Sequence, residues 1–251
     1  MEYDSLAKRI RVHALRMTHK AKSSHIGSNL SIADILAELY GGILKDGDKF
    51  ILSKGHACAA VYAVLAERGF FPIEWLDTFC QNDSLLAGHI THYVPGVEAS
   101  TGSLGHGLSI GCGMALATKQ KVYVLLGDGD CNEGSTWEAA MFASHHKLDN
   151  LVVVVDYNKL QALGFTKDIL ELDKLSEKWR SFGFFTMEVD GHDLFKLNSA
   201  FQLIPFIVGK PNCIISHTIK GKGVSFMENK VEWHYKYPDE EELKLALEKL
   251  K

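Results

Sequence analysis

The chain has 251 residues, of which 46% are hydrophobic and 23% charged, and its formal net charge is -4. That apolar content is enough for a real core and excludes a disordered or collagen-like chain, and the length suits one large α/β domain or two small ones. A pI near 6.3 leaves no basic stripe to neutralise phosphates, so nucleic acid is not expected as a partner. The five cysteines (Cys58, Cys80, Cys112, Cys131, Cys213) are widely spaced, odd in number and free of any C-x-x-C pair. They read as buried small residues in a reducing compartment, not as a disulfide frame or a zinc site. The N-terminal stretch is charged throughout and the longest apolar run falls far short of a membrane span. The expectation is a soluble cytoplasmic protein with no membrane partner.

In chain order, Tyr3 to Lys22 reads as an amphipathic helix, with Leu6, Ile10, Leu15 and Met17 near helical spacing. SSHIGSNLS interrupts it, and Ser31 opens a second helix with Asp34 three residues on, as in a capping box. Lys49–Leu52 is a short strand, Gly55-His56 leads into a helix that ends at Gly69, and Pro72 suits the first turn of another helix through Trp75 and Phe79. Asp83 to Ser103 shows no clear periodicity. Loops longer than about 12–15 residues inside a compact domain are usually functional or disordered, and this one is rich in His and Gly. LGHGLSIGCGMALATK follows as a glycine-dotted helix suited to close backbone packing. Val122–Leu126 and Leu151–Val155 read as strands on either side of a helix over 133–146, and Phe184–Val189 and Cys213–Ile219 as strands around a helix near Leu194–Leu203. The C-terminal DEEELKLALEKLK is a surface helix, acidic at its start and basic at its end. The all-apolar runs VYVLL and LVVVV suit strands covered on both faces. The predicted fold is α/β: a single doubly wound domain over residues 1–251, with a mostly parallel central sheet flanked by helices.

The function turns on two strand ends. A βαβ crossover places the ends of Val122–Leu126 and Leu151–Val155 at one edge of the sheet, the edge where open α/β folds bind ligands. Asp128 and Asn158 therefore converge although 30 residues separate them. One carboxylate and one amide oxygen are too few for a calcium cage but suit a Mg²⁺ that completes its octahedron with backbone, water and phosphates. Gly127 and Gly129 allow a phosphate to approach the backbone, and the following helix N-terminus favours an anion. Gly-Asp-Gly alone is an ordinary turn sequence; the second ligand-type residue makes a diphosphate–Mg²⁺ clamp the better reading. Nucleotide motifs of the G-x-x-x-x-G-K-[ST] and G-x-G-x-x-G kinds are missing at the strand ends.

GDG followed about 30 residues later by Asn is similar to the thiamine-diphosphate motif, and its flanks resemble transketolase. Four further segments match in order: SSHIG, FILSKGHACAAVYAVL, PGVEASTGSLGHGLSIGCGMALA, and HTIKGKGVSFMEN with a following WH. The resemblance runs from about Ala14 to Pro238 and is to the N-terminal half of transketolase, which binds the cofactor's diphosphate. It implies thiamine diphosphate and Mg²⁺ as cofactors, with Asp128, Asn158 and the backbone carbonyl of Leu160 on the metal and Gly129 and Asn158 on the diphosphate. It places His56 and His234 near the diphosphate and thiazolium, Gly102-Ser103-Leu104 under the aminopyrimidine, and His25 and His89 against the reacting groups of the sugar. It also assigns Glu133 to a link between paired active sites. His13, His19, His145, His146 and His217 read as surface or satisfied residues, and His92 and His106 stay open.

Ile26, Ile90 and His106 depart from the family pattern, as does WHYKYP, and all four lie on the substrate side. In the family the carboxylate that activates the cofactor and the arginines that grip substrate phosphate lie in the next domain. The resemblance therefore implies a complementary C-terminal subunit carrying the pyrimidine-binding domain, in a heterotetramer that moves a two-carbon ketol unit from a ketose to an aldose. Two rivals stay open. One is an α-type subunit of another thiamine-diphosphate enzyme, a 2-oxo acid dehydrogenase or a deoxyxylulose-phosphate-synthase-like protein. The other is a non-catalytic, cofactor-binding regulatory subunit.

Overall fold

In a computed structural model, residues 2–251 are described, and their strands form one five-stranded parallel sheet. The strands are β1 (Lys49–Leu52), β2 (Val122–Gly127), β3 (Leu151–Tyr157), β4 (Phe185–Asp190) and β5 (Asn212–His217), in the order β1-β2-β3-β5-β4. The helices are α1 (Glu2–Ala21), α2 (Ile26–Ser31), α3 (Ala33–Glu38), α4 (Cys58–Glu67), α5 (His106–Ala117), α6 (Gly134–His145), α7 (Thr166–Ile169), α8 (Leu175–Ser181), α9 (Leu194–Gln202) and α10 (Glu240–Lys249).

Alternation along each strand explains the layers. Leu52, Tyr123, Leu125, Val152, Val154 and Ile214 point into one apolar cluster, shared with α1, α3, α4 and α9. Ile51, Val124, Leu126, Val153, Val155 and Ile215 point into the other, shared with α5, α6 and α8. Both faces are covered at the centre of the sheet, which is why β2 and β3 carry no polar alternation, whereas the edge strand β4 alternates as FTMEVD. Register then sets the site: Gly127 pairs with Asp156 and Asp156 with Ser216, so β2, β3 and β5 end level.

The expected capping box at Ser31 and Asp34 is not formed. The chain turns helical earlier, at Ile26, and Ser31 closes α2 instead of opening a helix. Its hydroxyl donates to the Ser28 carbonyl at 3.0 Å and to Asp156 at 2.7 Å, while Asp34 takes the Arg11 guanidinium. Pro72 precedes a 3₁₀ run, Ile73–Thr78, where an α-helix was expected. A 3₁₀ turn, Gly129–Asn132, separates β2 from α6, and β5 stops at His217, two residues short of its expected end. Helices α7 and α8 were not foreseen, because each is shorter than the window in which helical periodicity shows. Residues 83–103 carry neither helix nor strand, as read from the sequence. Four of the cysteines are buried thiols, but Cys80 is exposed. No helix among the described residues is long and apolar enough to cross a membrane.

The glycines of α5 do bring it close to the sheet. A Cβ on Gly107 would stand 2.5 Å from Ser53 Cβ, and one on Gly111 would stand 2.4 Å from Val124 Cγ2. Gly111→Ala should therefore cost about 1–3 kcal/mol by overpacking. The check is urea unfolding, with a lower midpoint and an unchanged slope expected.

Candidate active site

The ends of β1, β2, β3 and β5 open into a cleft of about 280 Å³. Asp128 follows β2 and is 4% exposed, yet neither carboxylate oxygen accepts a hydrogen bond. Burial pushes its pKa up to about 7; the nearby Asp156 adds to the rise, and Lys54 opposes it. A buried, unpaired carboxylate of this kind is stable only when something positive meets it. Asn158 stands across the cleft. Its Nδ2 donates to Asp156 at 2.9 Å, which leaves Oδ1 as the amide's accepting oxygen, reached by the Leu160 N–H at 3.1 Å. The Leu160 carbonyl is buried and accepts from Lys220 Nζ at 3.1 Å, with a second lone pair left over. Asp128, Asn158 and Leu160 all line the cleft, and their oxygens are hard donors of the kind Mg²⁺ takes. Gly129 keeps the floor open, since a Cβ there would lie 2.7 Å from Leu104 Cδ1.

Sequence reasoning missed the charges behind this clamp. Asp156 is fully buried and collects four donors: Ser31 and Asn158, Lys54 Nζ at 2.5 Å, and the Thr218 hydroxyl. Asp130, equally buried, accepts from Ser53 at 2.6 Å and from the N–H groups of Gly105 and Gly127 at 2.8 Å. Lys220 is 1% exposed and donates to Leu160 and, at 2.9 Å, to His234 Nδ1. Burial, aided by Lys54, brings its pKa down to about 7. The signal was available: Lys54 and Lys220 stand a few residues past the ends of β1 and β5, the same logic that picked out Asp128 and Asn158.

Four of the predicted histidines meet in the cleft. The His25 ring lies 5.0 Å from those of His56 and His234 and 5.8 Å from that of His89, and His56 lies 5.3 Å from His234. His25 has a left-handed backbone, φ 76°, a costly state for a residue with a side chain. It is held there by its N–H to the His234 carbonyl at 2.9 Å and by Asn29 Nδ2 on its own carbonyl at 2.8 Å. Burial lowers the His25 pKa to about 4, with His89 and Lys220 adding to the effect, and lowers that of His234 to about 3, with Lys220 next in weight. Burial, then Lys54, holds His56 well below its ordinary value. These three rings are neutral at pH 7. When Lys220 carries its proton it donates to His234 Nδ1, and the ring proton of His234 then sits on Nε2.

Gly102, Leu104 and Gly129 line the cleft as expected, and Gln161 joins them, bridging to Asn132. Ser103 and Glu133 do not line it: both are exposed, Glu133 at the N-terminus of α6 beside Gly105. His92 bonds Ser100 at 2.8 Å and His106 is exposed at the start of α5, both outside the cleft. His13, His19 and His217 are satisfied by Glu67, the Pro238 carbonyl and Glu188.

The Asp156 pair governs the stability of this edge. Burial alone would raise its carboxyl, but Lys54 and the hydroxyls outweigh burial and hold it below the ordinary value. Its contribution is therefore complete above the unfolded pKa of about 3.9 and is lost as pH falls through the lower folded value. Lys54→Met strands the charge and should cost about 3–5 kcal/mol at pH 7. Urea unfolding across a pH series should show that deficit shrinking toward pH 4, where protonation relieves Asp156. Equal stability at pH 7 would rule out the role.

Comparison with known proteins places this geometry. Residues 3–250 match the family described as "Transketolase, thiamine diphosphate binding domain". The chain is 42% identical over 270 residues to the A subunit of the apulose-4-phosphate transketolase of Actinobacillus succinogenes, covering 100% of this chain and 98% of that one. It is 41% identical over 256 residues to the SqwG subunit of the 6-deoxy-6-sulfo-D-fructose transketolase of a Clostridium species, covering 96% and 93%. The solved transketolase of Leishmania mexicana superposes with a TM-score of 0.92 at 29% identity, over 98% of this chain and 41% of that one. The chain thus spans about two-fifths of that solved enzyme's length.

Proposed function

The chain belongs to the transketolase family, by its thiamine diphosphate binding domain, and from that premise we propose that it is the diphosphate-binding subunit of a two-chain transketolase. The observation that carries the proposal is Asp128, a buried carboxylate with no hydrogen-bond partner, facing Asn158 across a cleft that also gathers four histidines. Asp128, Asn158 and the Leu160 carbonyl would hold Mg²⁺, and Gly129 and Asn158 would meet the diphosphate. Lys54 and Lys220 supply positive charge behind it. Relatives of nearly the same length are named for the A subunit of a transketolase, which fits this reading and not the dehydrogenase or regulatory ones.

Thiamine diphosphate, when bound, supplies the carbon nucleophile that accepts the two-carbon unit. The chain's own part is to bind, orient and move protons. His25 and His234 are neutral, so they serve as hydrogen-bonding groups toward sugar oxygens and not as charged acids. We assign His25 to the acceptor carbonyl, His89 to the donor's first hydroxyl and His234, with Lys220 on its Nδ1, to the same relay. Glu133, exposed at the start of α6, we assign to the link between paired active sites across a subunit interface. Among the described residues, the carboxylates that line the cleft are Asp128 and Asp130, one reserved for metal and one fully bonded. A carboxylate for the cofactor's pyrimidine would then come from a partner, and two copies of each chain in a heterotetramer is the assembly we expect. The substrates named for the relatives are anionic sugars, and a ketose bearing phosphate or a similar anion is the proposed donor. The free thiols of the described residues suit a cytoplasmic setting.

Asp128→Ala should abolish the Mg²⁺-dependent part of thiamine diphosphate affinity, read by calorimetric titration of the reconstituted complex with and without EDTA. Equal, metal-independent binding by wild type and variant would sink the clamp. His25→Ala and His89→Ala should instead keep cofactor affinity and lower two-carbon transfer by roughly 10²–10⁴-fold, measured in a coupled ketose–aldose assay.

A further inference from the structure

Outside the cleft, a buried polar network closes on the turn that carries Lys220. It centres on Asp34 of α3, which takes the Arg11 guanidinium through Nη1 at 3.0 Å and Nη2 at 2.5 Å. His192, two residues past β4, adds a contact from Nδ1 to Asp34 Oδ2 at 2.6 Å. Its other nitrogen, Nε2, accepts the backbone N–H of Ile219 at 2.8 Å. A backbone amide only donates, so Nε2 is bare and the ring proton sits on Nδ1, donated to Asp34. Arg11 reaches the same turn from its far end, Nε donating to the Lys222 carbonyl at 3.1 Å.

Ile219–Lys222 is a tight turn closed by the Lys222 N–H on the Ile219 carbonyl at 3.2 Å, with Gly221 at φ +80° as its second corner. The network holds both ends: His192 takes the N–H of the first residue, and Arg11 the carbonyl of the last. Lys220 is the first corner, and from it the side chain runs into the cleft to Leu160 and His234. A buried ammonium must be delivered to its acceptors, because a small displacement leaves it desolvated and unpaired. Arg11, Asp34 and His192 do not themselves line the cleft.

We propose that His192, oriented by Asp34 and Arg11, is a positioning residue for the cofactor's diphosphate, fixing the Ile219–Lys222 turn so that Lys220 stands behind the Asp128–Asn158 clamp. The inference rests on the functional reading above for the identity of the anion. It acts through a single hydrogen bond to Ile219, which conservative variants can separate from bulk. An asparagine at 192 keeps a donor near the Nδ1 position and loses the Nε2 acceptor, whereas a glutamine reaches the Nε2 position with its amide oxygen.

Titration of the reconstituted complex with thiamine diphosphate and Mg²⁺ should show His192→Asn about tenfold weaker than wild type, the effect of one lost hydrogen bond. His192→Gln should recover most of that affinity. In the same full chain without cofactor, amide exchange across residues 218–223 should rise in His192→Asn and stay near wild type in His192→Gln. Arg11→Lys, which keeps charge on Asp34 but loses the bond to Lys222, should also raise exchange there if His192→Asn does not fold. Wild-type affinity and exchange in His192→Asn, or equal loss in the Asn and Gln variants, would overturn the proposal. A wild-type complex that ignores thiamine diphosphate would refute the functional reading instead, and the exchange measurement would still decide whether the network fixes the turn.

Discussion

The site depends on one buried charge. Asp156 sits inside β3 at the sheet's centre with no exposure, and a carboxylate there is tolerable only when fully bonded. Its four donors come from four places: Ser31 at the end of α2, Lys54 after β1, Thr218 after β5 and Asn158 after its own strand. Satisfying that charge therefore ties together the end of α2 and the segments that follow β1, β3 and β5 at the cleft. Hydrogen bonds to charged groups contribute about 1.5–3 kcal/mol each, so these loops are held more firmly than their lack of regular structure suggests.

The contrast among the three aspartates is informative. Asp130 and Asp156 are saturated with donors, and Asp128, buried to nearly the same degree between them, has none. A chain that can supply donors to two neighbouring carboxylates has left the third open, and burial has raised its pKa toward neutrality as a result. Lys54 and Lys220 stand close by and offset part of the negative charge of these carboxylates. Under the proposed function this open carboxylate is where a cation–diphosphate pair would sit, beside the space that Gly129 leaves to Leu104.

Much of this was legible in the sequence because it follows from topology. Two apolar runs with polar tails, joined by a helix, are enough to bring Asp128 and Asn158 to one edge, and the family resemblance added the histidines that the structure gathers. What stayed hidden were partners fixed only by tertiary packing. Ser31 looked like an N-cap because nothing local shows that its hydroxyl reaches Asp156, 125 residues away. Asp34 looked like the other half of a capping box, although its guanidinium partner lies on α1 and its imidazole partner after β4. His192 carries no local signal, since its contacts to Asp34 and Ile219 form only where β4 and β5 come side by side. Local patterning identifies elements and strand ends; it does not identify which buried polar groups satisfy one another.

The histidine cluster shows how packing limits chemistry. Three imidazoles stand within about 6 Å of the His25 ring, and these four rings, with two buried lysines nearby, cannot all be protonated without strong repulsion. Burial and the lysines resolve this by keeping His25, His56 and His234 neutral. Neutral rings suit hydroxyl and carbonyl oxygens, which need directional donors and acceptors without a fixed charge. They do not suit a phosphate or sulfonate. Lys54 and Lys220, the cations that line the cleft, are packed against the Asp128 end, where the cofactor's diphosphate is expected. An anionic group at the far end of a sugar must therefore find its counter-charge beyond this cleft. Under the proposed function the charges divide the labour: this chain would grip the cofactor and the reacting oxygens, and discrimination among anionic sugars would fall to a partner's surface.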